Sequence, residues 1–251
     1  MFRDATNRNN SAYISCAAIA LLLLFACNTA SEKIFSGYKE IDVFQIPPSV
    51  TIPGTIKQAG IWHDNTGENI LLLSRTPDLT DIPLTLYDSS GQASIHAGQW
   101  VKTDTGYRKV WQLMDQVKQC ELNLILNFFE GSTSVTDLDH NGIAEVTMVY
   151  YLGCLSEVSA YQMKLIMREG DYKYALRGFT CDPFLVETKK EPCISTDSID
   201  LKKIRGSFTD EELAQTGRLY GAYQSASDFT NAPPVFLDFA RRQWLKYRMA
   251  Y

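Results

Sequence analysis

From Thr55 onward the chain is a succession of short runs rich in β-branched and aromatic residues, broken by Gly, Asn and Asp corners, and this rhythm restricts it to a β-dominated fold. "TIKQAGIWHD" and "NILLLSRT" flank the corner "NTGE" as a hairpin. Further strand-like runs are "PLTLYD", "SIHAGQWVKT", "YRKVWQLM", "LNLILNFFE" and "EVTMVYYLG". A second hairpin, "YQMKLIMREGDYKYALRGFT", carries Glu169-Gly170-Asp171 at its tip. Helical signals come late. Thr209 followed by Glu212 has capping-box spacing, and after Pro233-Pro234 the run "VFLDFARRQWLKYRMAY" repeats at helical period through Leu237, Ala240, Trp244 and Tyr247. The expected architecture is α+β: a predominantly antiparallel β domain over residues 51–251, with C-terminal helices near 209–226 and 235–250.

The N-terminus points to a compartment. "MFRDATNRNN" precedes the apolar run "SAYISCAAIALLLLFAC", which is too short and too early for an ordinary spanning helix and reads as a signal peptide over residues 1–26. Leu24-Phe25-Ala26-Cys27 fits a bacterial lipobox, in which the cysteine is acylated and begins the mature chain. The alternatives are an ordinary signal cut near Ala26 or Ala30, or an uncleaved anchor helix. An acylated Cys27 implies a membrane partner reached through its lipid, and Asn28 after it favours the outer membrane, on its periplasmic or its outer face. Residues 27–50, polar and ending in "IPPSVTIPG", are expected to be a flexible tether.

Charge narrows the partners. The chain carries 24 basic and 29 acidic residues; removing Arg3, Arg8 and Asp4 with the leader leaves 22 against 28, a net of −6, which excludes nucleic acid as an expected partner. Arg241, Arg242, Lys246 and Arg248 would form a basic face on the last helix, either solvated or turned to anionic lipid or polysaccharide. Cys120, Cys154, Cys181 and Cys193 are an even set for an oxidising compartment. Three pairings are open. The favoured one joins Cys181 to Cys193, closing a short loop worth about 3 kcal/mol, and Cys120 to Cys154, tying two β runs together.

The most specific motif is "DLDHNGIAE". Asp137, Asp139 and Asn141 present oxygen from alternate residues, Gly142 permits a sharp bend, Ile143 offers a backbone carbonyl and Glu145 offers a carboxylate at the ninth position. Calcium needs such an all-oxygen set. The twelfth position, where an EF-hand places its bidentate Glu, is Met148, and strands rather than helices flank the loop, so the expected form is a β-strand calcium loop. The competing explanation is a polar hairpin turn around Asn141-Gly142, which accounts for two residues and leaves Asp137 and Glu145 without a reason. "HDNTGE", His63 to Glu68, echoes the pattern without the paired Asp spacing and reads as a turn.

The runs "GENILLLS", "TDLDHNGIAEVTMVYYLGC" and "KLIMREGDYKYALRG" resemble a family of bacterial secreted lipoproteins described as surface polysaccharide biosynthesis proteins. The resemblance covers roughly residues 55–180. It implies an envelope role without a settled reaction, with polysaccharide or envelope assembly proteins as partners. Where members read Cys-x-Gly-Asp-Val-Ser-Pro, this chain reads "CLSEVSA".

No local catalytic signature stands in the sequence: there is no Gly-x-Ser-x-Gly elbow, no His-Glu-x-x-His, no phosphate loop and no dinucleotide fingerprint. His63, His96 and His140 are expected to be structural or solvated. The leading expectation is a calcium-binding envelope lipoprotein that assists polysaccharide biosynthesis, assembly or display without catalysis. A carbohydrate-active enzyme is the alternative, with a carboxylate pair such as Glu130 and Glu157. A glycan-binding module is a third, with Trp62, Trp100, Trp111 or Trp244 as stacking platforms if any is exposed.

Overall fold

The β runs close into two antiparallel sheets. The computed structural model describes residues 35, 37–83, 89–155, 160–181, 200, 209 and 221–249, which belong to one compact unit spanning residues 32–251.

The first sheet contains β1 (Lys39–Glu40), β2 (Thr55–Asp64), β3 (Gly67–Arg75), β4 (Leu79–Pro83), β5 (Ser89–Thr103) and β6 (Gly106–Cys120). The second contains β7 (Asn123–Phe128), β8 (Ser134–Thr136), β9 (Glu145–Leu155), β10 (Gln162–Glu169) and β11 (Tyr172–Phe179). In each sheet one long strand serves two short ones. β5 pairs β6 along one edge and both β3 and β4 along the other. β9 pairs β10 along one edge and both β7 and β8 along the other.

Inner faces of the two sheets share one core, in which Trp62, Leu71, Ile95 and Leu113 meet Val146, Met148, Leu152 and Ile166. The outer face of the second sheet is covered by α1 (Pro234–Tyr247), whose Phe236, Phe239 and Trp244 pack with Val149, Leu165 and Met167. Each such side chain contributes roughly 1.5–3 kcal/mol on burial, so packing rather than propensity holds this helix in place. Covered on both faces, β9 has no reason to alternate polar and apolar residues. That is why "VTMVYY" lacks a polar–apolar alternation.

The disulfide Cys120–Cys154 joins the end of β6 to β9 with 5.4 Å between Cα atoms, and so staples the two sheets. Closing a chain segment with a sequence separation of 34 stabilises by about 4 kcal/mol on the chain-entropy model. Cys181 is also disulfide-bonded; Cys193 and Cys27 lie outside the described residues.

Three expectations change. The expected tether does not extend to residue 50. β1 pairs β2, Asp42 and Gln45 form a capping box on the short 3-10 turn Val43–Gln45, and Val50 is buried with Ile46 and Ile52 against Ile70, Leu72 and Trp100. The outer face of the first sheet is apolar there, and this segment is what covers it. Of the helix expected near 209–226, residues 210–220 lie outside the described set. Its described end is not helical: Gly221 has φ +57° and Tyr223 bridges Gly178 and Asp200. The basic face of the last helix is also broken, since Arg248 is buried and Arg241 donates to the Tyr223 hydroxyl at 3.0 Å. The run "PLTLYD" falls almost wholly outside the described residues.

Candidate metal centre

The loop between β8 and β9 is folded by its own polar side chains. Thr136 pairs with Glu145 across the two strands, and the eight residues between them must reverse the chain. His140 and Gly142 take left-handed φ of 60° and 79°. Asp139 accepts from the Asn141 backbone and amide nitrogens, both at 3.2 Å, and Asn141 Oδ1 accepts from the Ile143 N–H at 2.7 Å. Asp137 accepts from the Gly142 N–H at 3.2 Å. These are ordinary devices of a polar turn, and they orient carboxylates inward.

Glu145 is what a plain turn would not contain. It is the first residue of β9, fully buried, and it accepts from the Thr136 hydroxyl at 2.8 Å and from the Leu138 N–H at 3.0 and 3.1 Å. Asp137, Asp139 and Glu145 bring carboxylate oxygens within 4.8 Å of one another. Burial, reinforced by the charges of Asp139 and Glu169, pushes the Glu145 carboxyl up to about 7 despite its two hydrogen bonds.

A fourth carboxylate reaches the loop from β10. Glu169 ends β10 directly across from Glu145 in the strand register, and its Oε1 accepts from Asn141 Nδ2 at 2.6 Å. Burial first, then Asp139 and Asp137, raise its carboxyl above the usual range. Like charges directly opposite in a sheet destabilise it. Among the described residues none of Asp137, Asp139, Glu145 and Glu169 takes part in an ion pair. Its only sequence signal was the tip "REGD", 24 residues beyond Glu145.

The turn "HDNTGE" is more than a connection, because it braces the loop. Asn65 donates its N–H to the Gly142 carbonyl at 2.8 Å and its amide to the Asn141 carbonyl at 3.2 Å. Asp64 accepts from the Ala144 N–H at 3.2 Å while also holding the buried Trp62 indole at 3.0 Å. A Cβ on Gly142 would stand 2.1 Å from Asn65 Nδ2, so any side chain there must displace the Asn65 amide as well as adopt a left-handed φ.

The donor set fits a hard cation. All side-chain donors are oxygens, and oxygens less than 4.8 Å apart can share one ion at the calcium distance of about 2.3–2.6 Å. Asp137, Asp139 and Glu145 are the side chains that could hold it; Asn141, also expected as a ligand, has its Oδ1 accepting from the Ile143 N–H, and Glu169 reaches the loop through Asn141. Ile143, expected to give its carbonyl, is half-buried within the loop.

The remaining candidates are not part of this carboxylate group. Trp62, Trp100, Trp111 and Trp244 are all buried, so none offers a stacking platform. His63 is exposed beside Glu68, His140 is exposed in the turn, and His96 is buried with its Nε2 2.9 Å from Ser94 Oγ. Glu130 is exposed in the turn after β7, and Glu157 lies outside the described residues. Comparison with family models, curated proteins and solved structures finds no match to this chain.

Proposed function

We propose that this is a calcium-binding β domain of the bacterial envelope, lipid-anchored through Cys27, that assists surface polysaccharide biosynthesis, assembly or display without catalysing a reaction. One observation carries the calcium part: Asp137, Asp139 and the fully buried Glu145 bring carboxylate oxygens within 4.8 Å of one another, with Glu169 across the strand pairing from Glu145 and no cationic side chain paired to any of the four among the described residues. A divalent cation removes that imbalance. When bound it supplies charge and fixed geometry, while Asp137, Asp139 and Asn141 orient the loop and Glu145 ties it to β9. The envelope and polysaccharide parts are supported by the lipobox at Leu24–Cys27 and by the sequence resemblance over residues 55–180.

Calcium bound only by the folded chain stabilises it by mass action, about 2.7 kcal/mol at a hundredfold excess over the dissociation constant. Thermal unfolding with calcium and then with chelator should show a rise in Tm that Asp139→Ala abolishes, with matching heat in titration calorimetry. A Tm indifferent to calcium and chelator would leave the loop a hydrogen-bonded turn. The anchor is tested separately: Cys27→Ser should release the protein from membranes into the soluble fraction.

A further inference from the structure

A groove of about 610 Å³ opens at the far side of β2 from the β3 pairing, between the Glu40–Val43 segment and the turn that follows β7. Its floor is apolar, formed by Ile56, Leu73, Phe128 and Phe129, and its rim carries Glu40, Asp42 and Glu130 against a single cation, Lys57. That volume lies in the range of small-ligand sites. Beside it Phe44 stands 97 % exposed at the tip of the 3-10 turn, an aromatic side chain the fold does not use.

The chemistry of the wall narrows the ligand. Three carboxylates against one ammonium exclude an anion. A bare metal ion is disfavoured too, because among the described residues only the Asp137–Asp139–Glu145 group brings acidic oxygens close enough to share one. An added peptide strand is obstructed. The register of β2 shifts between Ile56 and Gln58, leaving Lys57 as a bulge, and the next step of the edge is covered by Ile41, whose N–H donates to the Ala59 carbonyl at 3.0 Å. What remains is a compact body with an apolar surface and a positive charge. Glu130 forms no ion pair among the described residues, and Glu40 keeps an oxygen beyond the one that accepts from Gln58 at 2.8 Å.

We infer that this groove binds a small organic cation, an amine carried on an apolar or aromatic body, with Glu130 and Glu40 meeting the ammonium group. The site is separate from the metal centre and does not rest on it.

Saturation-transfer NMR on the full chain in non-ionic detergent tests this with phenethylamine and its uncharged analogue 2-phenylethanol, in calcium and in chelator. Phenethylamine should bind at least about tenfold more tightly than the alcohol, and less tightly as salt is raised. Glu130→Gln and Glu40→Gln, both at exposed positions, should each weaken it about threefold to fivefold with Tm unchanged. The result should be the same with calcium or chelator, so failure of the calcium proposal leaves it standing. Equal binding of the two probes, absence of transfer, or full affinity in both variants would overturn the assignment.

Discussion

Two turns that look alike in sequence, "HDNTGE" and "DLDHNGIAE", dock against each other and solve opposite electrostatic problems. In the first, every acid is compensated. Asp64 accepts from Trp62, Thr66, Asn69 and Ala144, and Glu68 meets Tyr107, Lys102 and His63. The Tyr107 hydrogen bond, with Lys102 behind it, holds the Glu68 carboxyl below its ordinary value. In the second, Glu145 is pushed to about 7, and Glu169 across from it is raised as well. Composition is nearly the same in the two; what differs is which side chains the neighbouring strands bring to them. A turn whose acids are met by its own neighbours is complete by itself, whereas the other gathers acids whose charge a proton or a bound cation can relieve.

The largest test of that contrast is pH. In chelator, Glu145 binds its proton more tightly in the folded chain, near 7, than in the unfolded chain, near 4.5. Its contribution is therefore present below about pH 4.5 and is lost as pH rises through about 7, at up to about 1.4 kcal/mol per pH unit. Denaturant unfolding between pH 5 and 8 should show this decline, Glu145→Gln should flatten it, and calcium should reduce it. An unchanged slope in Glu145→Gln would show that Glu145 is not the strained member. Glu68, with a lowered carboxyl, contributes in the opposite sense, losing its stabilisation as pH falls through its folded value.

Gly142→Ala should come next, because it forces a side chain into a left-handed φ and against Asn65. A destabilisation of roughly 1–3 kcal/mol by chemical denaturation is expected, together with weaker calcium binding. If stability fell while calcium affinity held, the two turns would be joined mechanically and not through the ion. The smallest effect belongs to Glu68→Gln, which removes partly exposed ion pairs and should cost less than about 1 kcal/mol while leaving the calcium response of Tm intact.

The resemblance between the two turns also marks where local spacing stops being informative. The convergence of Asp137, Asp139 and Glu145 is legible from their spacing because one short loop carries all three. That of Glu169 is not, since it reaches the loop only through the pairing of β10 with β9. The brace from Asn65 was missed for the same reason, lying 76 positions from Asn141.

The sequence by itself determined what depends on neighbours a few residues apart: the β runs and their hairpins, the oxygen-rich loop, and the helix after Pro233-Pro234 that buries Ala240, Trp244 and Tyr247 at helical spacing, with Leu237 only partly buried. Tertiary structure decided what depends on which faces meet. It turned Ile46 and Val50 from expected tether into cover for the first sheet, buried Arg248, and placed Glu169 opposite Glu145. Periodicity records that a residue has an apolar or a polar side, because alternation is a local property of the backbone. It does not record which distant strand supplies the other half of a contact, since that is set by how sheets pair and stack once the whole core is buried.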